Sequence, residues 1–457
     1  MPMAEDGIPG GTRFRLFRQT PGSGGPETPD TVTVGPRPGQ IGAGPCDDRM
    51  YVVDALGHKP PYDDGSGPPW RGPCRPPTRP GPDGHFDHIP VDHPDFPAVH
   101  MYGSVRLALD VWERYLGETV RWPRFPSGPR LELIPVVDWD NAHFGPGYIE
   151  AGFKIAGDGA RSPFCLNFDV LAHETAHAIL FSVMGYPEES RVTAEYLGFQ
   201  EAAADLMSLL SFLHFSGAID QVLNECGGNL YVLNALSRIG EFAAADQIRV
   251  ASNDSALADL VGVRYLGHGD WFDPKGLDRD AHDMSLPLTG AVFDILVELF
   301  QDGLVARGLI EPDNDARGWR RDEVELAIDR LGDHYGSRLE RFRDGFRHAL
   351  TDARDLVGAC LAEAVRTLRP DDLSYDGFAA RYLTAALDRG QRGNLEAILI
   401  HFGARGIDPL AVPAPPLRPP LSPSYAERHA AAMRQSRPRA ATPAILASLK
   451  ALGHRWR

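Results

Sequence analysis

The amino-acid sequence predicts an α+β protein, and three observations carry that prediction. Strand-like stretches are short and lie in the first third of the chain. Two long, strongly apolar helical patterns stand next to each other near its middle, and nearly everything beyond Leu286 reads as helix. The chain has 457 residues, enough for two or three domains and a large core.

The elements follow in order. Residues 1–95 are rich in Gly and Pro, with one strand-like stretch at Arg49–Ala55, and are expected to be partly extended or disordered. Because Pro fixes φ and lacks an N–H, Pro60–Pro82 reads as loop rather than helix. A strand-bearing lobe that includes the first of the two apolar helices is expected over 96–220. In it, Tyr102–Leu116 has the apolar spacing of an amphipathic helix, and Leu131–Val137 is a strand candidate. A helix follows over Phe168–Met184, with Asn167 or Asp169 available as its cap and Gly185-Tyr186-Pro187 to end it. The next runs over about Thr193–Phe215. A helical lobe is expected over 221–410, from the patterns at 288–302, 322–331, 335–368, 373–388 and 392–403. Residues 411–457 read as a Pro-rich linker and a basic tail.

Charge and cysteine usage exclude several classes. The chain carries 46 basic and 62 acidic residues, a net −16, which argues against nonspecific nucleic-acid binding. The tail from Ala411 is the exception, with eight Lys or Arg against Glu427. Apolar patches such as Ala291–Phe300 and Leu395–Phe402 are interrupted by charges and fall short of the ~20 residues a membrane span needs. No secretory signal is legible at the start. The five cysteines, Cys46, Cys74, Cys165, Cys226 and Cys360, form no C-x-x-C pair and read as reduced thiols, so a cytoplasmic location is expected.

The chemistry concentrates in His173-Glu174-Thr175-Ala176-His177. Histidines four apart on a helix project from one face, within reach of one Zn²⁺. Glu174 can reach water at such a metal without ligating it, and is the candidate general base. A random chain of this composition would show the pattern about 0.03 times. The competing reading is an ordinary helix with exposed histidines. A third ligand is expected at Glu201, in the middle of the next apolar helix, where an unpartnered carboxylate would be costly. Asp205 shares its face and is placed to accept the free ring N–H of a ligating histidine. Glu195 is the rival ligand but has no such partner on its face.

His173-Glu174-x-x-His177 followed by Glu201-x-x-x-Asp205 resembles the gluzincin metallopeptidases, and among them the thermolysin-like family. Asn141-Ala142-His143-Phe144 is similar to that family's substrate-binding edge-strand segment, and His282-Asp283-Met284-Ser285, before a helix, to its oxyanion-binding histidine. The resemblance covers roughly residues 96–405. It implies a two-lobe fold, strand-bearing then all-α, with zinc in the cleft between. It implies Zn²⁺ on His173, His177 and Glu201, and Glu174 as base. His282 would donate to the oxyanion, oriented by Asp278 or Asp280, and Asn141 and Ala142 would bind a peptide or protein substrate. The sequence departs from the family in several ways. The gap between the zinc ligands is longer than in thermolysin itself, and no secretion signal, recognisable pro-segment or calcium-binding acidic cluster is evident. His143 stands where an apolar aromatic is usual, and Tyr196 is only a loose match to the family tyrosine.

Zinc-dependent peptide hydrolysis is therefore the expected function. The alternatives are a catalytically silent scaffold that binds proteins, and a zinc hydrolase of a nonpeptide amide. Arg249 reads as a surface ion-pairing residue rather than a substrate contact. His85, His88, His93 and His100 read as separate histidines rather than a second metal site.

Overall fold

The computed structural model describes residues 6–412, apart from 22–27, 63–65, 124, 126–127, 156–158, 160, 233, 240–248, 316 and 318–320. The Pro-rich linker and basic tail expected over 411–457 lie almost wholly outside the described residues.

The Gly/Pro-rich start contains more strand than the sequence suggested. β1 (Thr12–Leu16) pairs antiparallel with β2 (Asp30–Val34), and their inward residues Phe14, Leu16, Val32 and Val34 are fully buried. Both strands alternate apolar and polar residues, the period of a half-buried strand, but the surrounding Gly and Pro obscure it. β3 (Met50–Val52) is a shorter version of the strand read at 49–55.

α1 (Phe96–Leu116) begins six residues earlier than expected, with Pro97 in its first turn, where the missing N–H costs nothing. β4 (Leu131–Ile134), β5 (Ala142–Gly145) and β6 (Tyr148–Ala151) join β3 in a four-stranded sheet of order β3-β4-β6-β5. β3, β4 and β6 run parallel, and β5 is an antiparallel edge strand. A small pair, β7 (Phe153–Ile155) and β8 (Arg161–Pro163), follows.

The chain between β3 and α1 has no described helix or strand, and two buried carboxylates anchor it to this sheet. Glu150 on β6 accepts from Lys59 Nζ at 2.9 Å and from Tyr62 N–H at 2.6 Å. Glu132 on β4 accepts from the Tyr62 hydroxyl at 2.6 Å and the Tyr51 hydroxyl at 2.8 Å. The sequence gives a Pro-rich segment little regular structure, so these charge-assisted bonds stand in for a ladder.

α2 (Phe168–Met184) matches the expected helix at both ends, and α3 (Ala194–Phe212) starts on the Thr193 cap. α3 packs between α2 and α5 (Ala281–Ala306), after the short α4 (Ser216–Glu225).

The all-helical reading of 221–410 is corrected here. Between α4 and α5 lie β9 (Arg238–Ile239) with β10 (Arg249–Val250), and the hairpin of β11 (Arg264–Gly267) and β12 (Asp270–Phe272). The hairpin turns through Gly267, His268 and Gly269, all at positive φ, and the Tyr265 and Trp271 rings of its two strands meet tilted at 59°, with centroids 5.3 Å apart. Glycines supply the left-handed backbone such a turn demands.

α5 begins at Ala281 rather than 288, because Pro287 is accommodated within it. The two patterns read at 322–331 and 335–368 form one run, α6 (Arg321–Thr367), interrupted by a non-helical Phe342. α7 (Tyr375–Asp388) and α8 (Leu395–Ala404) are the last helices among the described residues. One contiguous apolar cluster extends from Phe14 to Ile407. Among the described residues no single helix is long and apolar enough to cross a membrane. α3 and α4 together meet that test as a pair bent by 99°.

Candidate metal centre

α2 is set by its N-terminus. Asn167 Oδ1 accepts from the N–H of Asp169 at 2.9 Å and of Val170 at 3.4 Å, satisfying two groups that have no partner within the helix. The helix is buried on nearly every side, so each polar residue on it must be matched. Thr175 returns its hydroxyl to the Leu171 carbonyl at 2.6 Å. His173 and His177, one turn apart, place their Nε2 atoms 3.1 Å from each other.

α3 supplies the opposing wall. Asp205 Oδ1 lies 3.0 Å from His173 Nδ1. That contact puts the ring proton on Nδ1 and leaves the Nε2 lone pair directed into the site. Glu201 Oε2 is 3.3 Å from His173 Nε2, and its Oε1 is 3.6 Å from His177 Nε2. Ligands arranged tetrahedrally about an ion at 2.0–2.1 Å stand about 3.3–3.4 Å apart. The three separations here, 3.1, 3.3 and 3.6 Å, bracket that edge. The donor set therefore fits a small divalent ion, and His173, His177 and Glu201, all buried, form the group of described residues able to hold one.

The two carboxylates at the site titrate in opposite directions. Burial pushes the Glu174 carboxyl up, reinforced by the Glu201 charge and offset in part by His173, by His143 and by the Phe144 N–H. That N–H, from edge strand β5, donates to Glu174 Oε2 at 2.7 Å. Burial opposes ionisation of Glu201 too, but His282 and His177 hold it well below the ordinary carboxylate range. Neighbouring acids pushed apart in this way are suited to different tasks.

His282 is the second residue of α5, a correction to the reading that it precedes the helix. Its Nε2 lies 3.2 Å from Glu201 Oε2 and its Nδ1 3.3 Å from Asp280 Oδ1. Asp280 also caps α5, accepting from the His282 N–H at 2.8 Å. Burial raises the Asp280 carboxyl, but the hydrogen bond and charge of His282 carry it below its usual value.

Other candidates fall elsewhere. Glu195, the rival ligand, accepts the Tyr375 N–H at 3.0 Å, at the start of α7. Tyr196 is buried beside Gln200 and Tyr186. The backbone of Arg249 is in β10, and its side chain lies outside the described residues. His85 bonds to Arg13, and His100 accepts from the Phe17 N–H at 2.8 Å. Asn141 Oδ1 accepts the Ala142 N–H at 2.8 Å beside β5. His143 Nε2 lies 2.9 Å from Glu150 Oε1. The bond from Phe144 to Glu174 was missed because a backbone donor leaves no mark in the sequence. Asp280 could have been singled out from its cap position two residues before His282.

No protein-family model matches the chain, and no curated protein matches it. Among solved structures, the precursor of protealysin, a metalloproteinase from Serratia proteamaculans, is similar at 12% identity with a TM-score of 0.40. The match covers 78% of this chain and 86% of that one.

Proposed function

We propose that this protein is a zinc-dependent metallopeptidase. The observation that carries the reading is the convergence of His173, His177 and Glu201 at tetrahedral spacing, with Glu174 beside them on the same helix as the first two. A zinc ion held there would supply Lewis acidity, worth several kcal/mol to a developing oxyanion.

The chain's own residues do the rest. Glu174, held at Oε2 by the Phe144 N–H, takes the proton of the attacking water and delivers it to the leaving amine. Its upward-shifted carboxyl brings its proton affinity closer to that task. His282 directs Nε2 to the same region and donates its N–H to the tetrahedral oxygen, with Asp280 fixing the ring at Nδ1. Asp205 holds the His173 ring. β5 is an edge strand, and a substrate in extended form would lie along it near Asn141 and Ala142, in a cleft between the strand-bearing part and the helices.

The test is metal content by mass spectrometry beside cleavage of a mixed peptide library. One zinc per chain, retained by Glu174→Gln and lost by Glu201→Ala, with cleavage abolished in both, is the expected result. Zinc without cleavage in the wild type would favour a silent scaffold, and no zinc after reconstitution would refute the proposal.

A further inference from the structure

The first turn of α5, which carries His282, lacks one backbone bond to the turn that follows it. Pro287 has no N–H, so the internal bond that would reach the Asp283 carbonyl is missing. Asp280 and Asp283 close the turn from its N-terminal side as a reciprocal cap, and Ser285 Oγ donates to the His282 carbonyl at 2.7 Å.

A further hold comes from a distant part of the chain. Tyr375, the first residue of α7 and 1% exposed, donates its hydroxyl to the Met284 carbonyl of α5 at 2.5 Å. Its backbone N–H donates to Glu195 of α3 at 3.0 Å. The ring reaches this position because α3 has no side chain at Gly198. A Cβ there would stand 2.3 Å from the Tyr375 hydroxyl oxygen and 2.6 Å from Met284 Cβ. Gly198 precedes Glu201 by three residues, close to one turn. One tyrosine thus ties the helix bearing Glu201 to the turn bearing His282, whose facing atoms are 3.2 Å apart.

We infer that Tyr375, seated in the Gly198 notch, is a positioning residue for His282. It sets the distance between the histidine ring and the metal-ligating carboxylate. The inference rests on the proposed role of His282, and its test separates the two. Tyr375→Phe keeps the ring and removes the hydroxyl, and Gly198→Ala crowds the notch while leaving the tyrosine in place.

With ¹⁵N-histidine labelling, the His282 ring signals are identified by their loss in His282→Gln. Both test variants should shift or broaden those signals in metal-free protein while leaving His173 and His177 unchanged. On the zinc-loaded protein, kcat should fall about 10-fold with zinc content and KM within twofold of wild type. Unaltered His282 signals and kcat in Tyr375→Phe would overturn the inference. So would a general loss of zinc and cooperative unfolding, which would make Tyr375 a packing residue alone. Altered His282 signals in a wild-type background without peptidase activity would support the positioning role while refuting the proposed function.

Discussion

His100 and His173 are both buried histidines on helices packed against each other, and their partners assign them opposite behaviour. His100 Nε2 accepts the Phe17 N–H at 2.8 Å, a bond that an imidazolium could not make. Burial accordingly pushes its pKa down to about 4. An unfolded histidine titrates near 6.5. The folded state therefore binds fewer protons between those values. The stability from His100 is complete above about pH 6.5 and is lost as the pH falls towards 4, on the order of 3 kcal/mol in all. Urea midpoints at pH 7 and 4.5 should fall further apart in wild type than in His100→Gln, and equal differences would refute this assignment. His173 meets a carboxylate at Nδ1 instead, which frees Nε2 for an ion. Asp205→Asn keeps the acceptor and removes the charge, so zinc affinity should drop about 10- to 100-fold with the fold intact, measured by competition with a chelator.

Helix ends show what sequence can and cannot reveal at the next scale. Asn167, Thr193 and Asp280 cap α2, α3 and α5 from adjacent positions, and a cap next to its helix is visible in a linear reading. α4 has no side-chain cap of its own. Asp6, from the far end of the chain, accepts the Ser216 N–H at 2.9 Å and the Ser216 hydroxyl at 2.6 Å. No periodicity could announce that pairing. Asp6→Ala should lower unfolding free energy by about 1 kcal/mol, measured by denaturant titration, and no change would mean the cap is idle. The same division holds at the site. The spacing of His173, Glu174 and His177 was legible because a helix repeats locally, whereas the Tyr375 clasp joins elements about 180 residues apart. The segment at Lys59 is another nonlocal case. Lys59→Met would leave Glu150 buried without its cation, and should cost about 3–5 kcal/mol.

One apolar cluster joins residues from Phe14 to Ile407 and includes the core of α2 and α3, so an ion binding between those helices acts on the stability of every element packed into that cluster. Zinc present at a thousand times its dissociation constant would add about 4 kcal/mol. Its removal by a chelator should lower the unfolding midpoint of wild type but leave Glu201→Ala unmoved, checked by calorimetry. α3 lies at the centre of this arrangement, buried from Tyr196 to Phe212. During synthesis it is complete about 70 residues before α5 begins and about 160 before Tyr375 emerges. At roughly 5–20 residues per second, its apolar surface waits for several seconds without the helix that covers it. Ribosome-stalled chains ending near residue 260 should therefore capture a holdase chaperone more strongly than chains ending near residue 410, because the helix that carries Glu201 stands uncovered until α5 arrives.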